Sequence, residues 1–186
     1  MPNTNEGFRI KEMEGYTPQI GRLVSMMNYV RSVTLDSVQN LTTPQLDFLL
    51  DEKANSIGAL LLHIASTDMF FRIFTFENRE LTEEEDKLWA PASYMGTPAR
   101  EHIKGNSLEY YLDVLQSERN KVLELFKKVN DNWLYEEKPL WYNKPANNYF
   151  MWFHVFEDEI HHRGQINLIR RRLPKDLNVL NTSCVN

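Results

Sequence analysis

Apolar residues along this chain recur at steps of three and four, and no stretch of useful length alternates with period two. The spacing predicts helices. A first one opens at "TPQIGRLVSMMNYVRSVTLDSV", where Thr17 can cap and Pro18 sits in the first turn, a position that needs no N–H. Ile20, Leu23, Val24, Met27, Val30 and Thr34 mark its inner face, and a short helical piece follows Thr43-Pro44. Asn55 or Ser56 opens "SIGALLLHIASTDMFFRIFTF", which is apolar nearly all round and therefore a buried helix. The connection from 78 to 106 is too long to be structureless in a compact domain. It predicts a short helix near 82–89 within a crossover running the length of the molecule. Asn106 and Glu109 read as a capping box for "SLEYYLDVLQSERNKVLELFKKV". After a linker rich in Trp, Tyr and Pro, a last helix runs from about Asn148 to Leu173, where Pro174 ends it. The expectation is an all-α fold: one domain over residues 1–186, built as a four-helix bundle with a long crossover and a polar C-terminal tail.

On the last helix, Met151, Val155, Asp158, His162, Ile166, Ile169 and Leu173 follow one another at helical steps, so two polar residues interrupt an apolar seam. Tyr149, Phe153, Phe156 and Ile160 form a second apolar face. On the second long helix, His63 interrupts the seam Leu60, Thr67, Phe70 and Phe74. A buried carboxylate without a partner is costly, and a buried imidazole also needs partners. One divalent ion held by His63, Asp158 and His162 would satisfy all three, since side chains four apart on a helix share a face. The ordinary alternatives are a satisfied core histidine at 63 and an i,i+4 ion pair at 158 and 162.

The remaining polar residues carry weaker signals. His154, one turn before Asp158, is a further ligand or a supporting donor. His161 points about 100° from His162 and pairs with Glu157 on the surface. Glu159 and Arg163 read as a structural i,i+4 pair, Gly164 as a site of close helix approach, and His102 as uninvolved. Trp89, Tyr94, Trp141 and Tyr142 either wall a substrate pocket or pack on the bundle ends.

Composition narrows the class. The net charge of -5 argues against a nucleic-acid or anionic-membrane partner, and Arg170-Arg171-Arg172 complements the helix dipole. No apolar run reads as long enough to span a bilayer, and the N-terminus lacks a signal-peptide core. Cys184 is the one cysteine, which excludes a disulfide framework or a cysteine zinc knuckle and makes a cytoplasmic setting the default.

"NSIGALLLHIAS" followed far downstream by "EDEIHHRGQINLIRRRL" resembles the DinB-like superfamily, which includes the bacillithiol S-transferases. The resemblance extends from about residue 18 to 173. It implies an up-down-down-up bundle, often a homodimer, binding zinc or nickel through a histidine on the second helix and an H-x-x-x-H pair on the last. Carried onto this chain, those positions are His63, Asp158 and His162, with Asp158 in place of the first paired histidine. Carboxylates stand there in the similar mycothiol-dependent maleylpyruvate isomerases. A carboxylate also admits iron(II) and manganese beside zinc.

The expected function is a metal-dependent thiol S-transferase acting on a small-molecule thiol and an electrophile, with His154 or His161 moving a proton. The rivals are a metal-dependent hydrolase and a non-catalytic metal-binding, stress-associated protein. An iron oxygenase with two histidines and one carboxylate fits the ligand types but not the resemblance.

Overall fold

A computed structural model describes residues 8–178; Cys184 and the first seven residues lie outside that range. Four long helices form the bundle: α1 (Pro18–Val38), α3 (Ile57–Arg72), α6 (Leu108–Phe126) and α7 (Asn148–Arg172). A single turn, α2 (Thr43–Leu46), follows α1, and the crossover carries α4 (Glu83–Tyr94) and α5 (Gly96–His102). The arrangement is up-down-down-up. α3 packs on α6 and α7, and α1 packs chiefly on α7, so of the consecutive long helices only α3 and α6 are main neighbours.

Local chemistry starts and stops these helices. Ser56 Oγ accepts from Ala59 N–H at 3.1 Å and caps α3. Ser107, rather than Asn106, caps α6 through Tyr110 N–H. Thr17 makes no cap of its own; its hydroxyl donates to Asp131, whose carboxylate takes the N–H groups of Gln19 and Ile20 at 3.0 and 3.2 Å. The first helix is thus capped by a residue 114 positions away. Arg170 returns the favour at the other end, donating to the Ser37 carbonyl at 2.6 Å.

α3 continues into a π-helical turn, Ile73–Glu77, which Asn78 ends in a left-handed conformation at φ 53°. Ile57–Glu77 is long and apolar enough to cross a membrane, contrary to the sequence expectation, yet most of it is buried in the bundle. It is apolar because three other helices surround it. A small hairpin, β1 (Glu137–Pro139) against β2 (Pro145–Asn147), lies between α6 and α7.

The core has two parts. Leu46, Leu60, Leu61, Tyr111, Leu115 and Ile166 belong to one cluster, and Met27, Val122, Phe126, Trp133 and Trp152 to the other. Between them lies a buried charged layer with one residue from each long helix: Arg31, Asp68, Arg119 and Glu159, none more than 7% exposed. Arg31 reaches Glu159 at 2.9 Å and Asp68 at 3.1 Å; Arg119 reaches Asp68 at 2.9 Å and Glu159 at 3.1 Å. The structural i,i+4 pair of Glu159 and Arg163 read from spacing therefore does not form. Glu159 turns inward, and Arg163 instead donates to the Val30 carbonyl. Gly164 meets nothing within 4 Å, so it is not a close-approach residue. That role belongs to Gly58, where a Cβ would collide with the Tyr111 ring of α6.

Candidate metal centre

α3 and α7 bring His63, Asp158 and His162 together, with one donor atom from each lying within 4.8 Å of the others. His63 Nε2 is 3.6 Å from Asp158 Oδ2, and His162 Nε2 is 3.3 Å from Asp158 Oδ1. The two imidazoles meet edge to face at 4.6 Å. Donors bound about 2.1 Å from one tetrahedral ion stand roughly 3.4 Å apart. Both carboxylate spacings lie near that value, although each histidine meets a different oxygen of Asp158, and one donor from each of the three residues lies within 4.8 Å of the others.

Tautomer and charge sharpen the match. His63 Nδ1 is 2.9 Å from the Ala92 carbonyl and donates its proton there. That carbonyl belongs to the last turn of α4. The N–H it would ordinarily accept, on Gly96, is diverted to Asn55 Oδ1 at 2.8 Å, because the chain breaks at Met95 with φ 54°. The end of a helix without a partner of its own thus orients a ring on its neighbour, as carbonyls commonly do for metal-binding histidines. His63 Nε2 is left with a bare lone pair facing a carboxylate oxygen.

Burial pushes the His63 pKa down, against the raising effects of its Ala92 bond and of Asp158. Burial also opposes ionisation of Asp158. The hydrogen bond from His162, with the charges of His162, His63 and His154, outweighs it and holds the carboxyl below its usual range. A neutral imidazole and an ionised carboxylate facing each other at 3.6 Å are suited to share a cation, and burial makes a proton on His63 the poorer choice. His162 Nδ1 is buried with no partner among the described residues, unlike a satisfied core histidine. Thr67 Oγ donates to the His63 carbonyl at 3.0 Å and lies 3.4 Å from Asp158 Oδ2.

A cavity of about 710 Å³ opens on His63 and Asp158, between α3, the crossover and the hairpin. His154 lines it, with Nδ1 3.0 Å from Glu157 and its ring 4.7 Å from that of Trp141. His161 is on the outside, its side chain 77% exposed and 3.9 Å from Glu157. Tyr94 and Trp141 line the cavity; Trp89 packs on the core cluster that holds Leu60 and Tyr111, and Tyr142 is 95% exposed. His102 is exposed at the end of α5.

Sequence reasoning missed the charged layer directly behind these ligands. Its signal was present: Arg31 lies on the Met27, Val30, Thr34 face of α1, and Asp68 sits inside the most apolar helix.

The chain is an all-α bundle and a DinB-like protein. More narrowly, residues 22–174 match the mycothiol-S-transferase family, and the chain belongs to it. Comparison with curated proteins finds no match. Solved structures share the fold at low identity. A DinB-like protein from Bacillus cereus has a TM-score of 0.61 and 16% identity, covering 81% of this chain and 90% of its own. A protein from Streptococcus pneumoniae has 0.64 and 12%, over 92% and 98%. The colibactin self-resistance protein ClbS, solved in complex with double-stranded DNA, has 0.61 and 17%, over 83% and 97%. ClbS overturns the exclusion of nucleic acid drawn from net charge: a protein of this fold has been crystallised with DNA, so an acidic total is no ground for that exclusion.

Proposed function

We propose that the protein is a divalent-metal-dependent transferase that joins a low-molecular-weight thiol to an electrophilic small molecule. The carrying observation is the triad itself. His63 Nε2 and the Asp158 carboxylate face each other as unprotonated donors, with His162 Nε2 beside them, at one end of a cavity large enough for a small substrate. When bound, a divalent ion supplies Lewis acidity that favours thiolate over thiol near neutral pH; zinc, nickel, iron(II) and manganese all suit this donor set. The family match favours a thiol as the acceptor of that assistance.

The chain's own residues do the rest. Ala92 and Thr67 fix the orientation of His63 and Asp158. His154, its Nδ1–H held by Glu157, presents Nε2 as the proton acceptor within the cavity. As His154 takes the thiol proton, the sulfur lone pair forms the new bond to the electrophilic carbon, and the leaving group departs with its bonding pair. Phe70, Phe71 and Trp141 keep water from competing. His161, outside the cavity, has no part in this scheme. A cytoplasmic location, where such thiols stay reduced, goes with this reading. So does a homodimer through the exposed Phe150, Phe153 and Ile160 of α7.

The test is metal analysis of natively purified protein, followed by thiol-conjugation, esterase and amidase assays. Wild type should hold about one ion per chain, and His63→Ala, Asp158→Ala and His162→Ala should lose it together with conjugation. Protein that takes up no metal, with no change in Tm on adding zinc or nickel, defeats the proposal. Ester or amide cleavage without conjugation reassigns the site to hydrolysis.

A further inference from the structure

We infer that the cavity selects a substrate bearing a protonated amine or similar cation on an apolar body, and that Glu80, Glu83 and Asp86 set this preference. The inference rests on reading the cavity as the substrate site. One wall is aromatic, with Phe70, Phe71 and Trp141; the facing rim, from the start of the crossover, carries the three carboxylates. Among the described residues, no lysine or arginine lines it. Arg79, next to Glu80, is engaged by Glu77 and Glu85 at 2.8 and 2.7 Å, and Lys138 is held by the Phe74 carbonyl and Asn78.

Acids at a helix start have an ordinary use in offsetting the helix dipole. Glu85 fills it here, closing a capping box with Thr82. Glu80 lies before the helix and gains nothing from the dipole. Among the described residues neither the Glu80 nor the Glu83 carboxylate has a hydrogen-bonding or ionic partner, while the Tyr94 hydroxyl donates to Asp86 at 3.1 Å and holds it at the rim. A divalent ion on one carboxylate and two neutral imidazoles keeps a single surplus positive charge, so the three rim carboxylates leave the cavity anionic even when the site is loaded. An anionic substrate would meet like charge throughout its approach. A cation would meet carboxylates on one side and aromatic faces on the other, both attractive.

The experiment uses two probes of matched shape, 2-phenylethylamine and 3-phenylpropionate. Binding to the full chain, metal-free and metal-loaded, is followed by calorimetry and by quenching of tryptophan fluorescence at low salt. The amine should bind about tenfold more tightly than the carboxylate. The preference should shrink in about 0.5 M salt and fall severalfold in Glu80→Gln/Glu83→Gln. Glu80→Gln alone, outside the helix, should show part of the loss if the double variant fails to fold. His161→Ala, outside the cavity, should keep the preference. Equal affinities, a preference for the carboxylate, no binding of either probe up to about 10 mM, or an undiminished preference in the rim variants each overturns the inference. Metal titration of the same samples keeps the two proposals apart: amine preference without metal uptake sinks the transferase reading alone, and metal uptake without amine preference sinks this one alone.

Discussion

Thr67 illustrates how much of the site is held by residues that are not themselves ligands. Its hydroxyl touches both the His63 carbonyl and Asp158. Thr67→Val keeps the shape and removes both bonds, so metal affinity should fall about tenfold, the lower end for supporting contacts of this kind; competition against a chelator measures it, and an unchanged affinity would strip Thr67 of that role. Asp131 makes a similar point for stability. Partial burial opposes its ionisation, but bonds from Thr17, Gln19 and Ile20 and the charge of Arg22 outweigh it, holding the carboxyl below its usual range. The stabilisation is therefore complete above the unfolded value of about 3.9 and is lost as pH falls through the lower native one. Asp131→Ala should cost about 1 kcal/mol at pH 7, as for a lost cap, with the gap from wild type narrowing towards pH 3. Urea unfolding at the two pH values decides it, and a gap independent of pH would contradict the assignment.

At the scale of the elements, the charged layer is the feature with the largest energetic consequence. It joins α1, α3, α6 and α7 at one level, between two apolar clusters. Removing one partner leaves a guanidinium buried and uncompensated. Glu159→Gln should therefore destabilise by about 3–5 kcal/mol, read as a drop in urea midpoint at constant slope; a loss within about 0.5 kcal/mol would mean the layer is hydrated or dispensable. The same element shows where sequence reading stops. The period of three and four located the long helices, the crossover and the seam carrying His63, Asp158 and His162, because burial leaves a one-dimensional trace. Glu159 and Arg163 satisfied an equally valid local rule, the i,i+4 pair, and the trace held no record that Arg31 and Arg119, 128 and 40 positions away, would outcompete it. Caps divide the same way: Ser56 was legible, while Asp131 reaching back to α1 was not.

For the whole molecule, metal and fold are linked by mass action. An ion present at about 100 times its Kd adds roughly 2.7 kcal/mol, or about 5–10 °C in Tm for a chain of this size. The rise should vanish in His162→Ala, as thermal melts with and without zinc would show. The molecule-wide view also explains why the cavity was invisible in advance. It is assembled from α3, the crossover, the hairpin and α7, and only two of its four candidate aromatic residues, Tyr94 and Trp141, face inward. No spacing rule relates residue 94 to residue 141.

The bond from His63 to the Ala92 carbonyl has a kinetic corollary. Asp68 and Glu159 are bolted to the same two arginines, so α3 and α7 cannot slide apart without breaking that lattice. The crossover carries no part of that lattice and is held by apolar packing and by bonds such as that from Gly96 N–H to Asn55. Its α4 end holds the imidazole by a single acceptor, and lifting it would let the ring turn while both bundle helices stay still. The residence time of a bound ion would then be governed by a stretch of backbone that contributes no ligand.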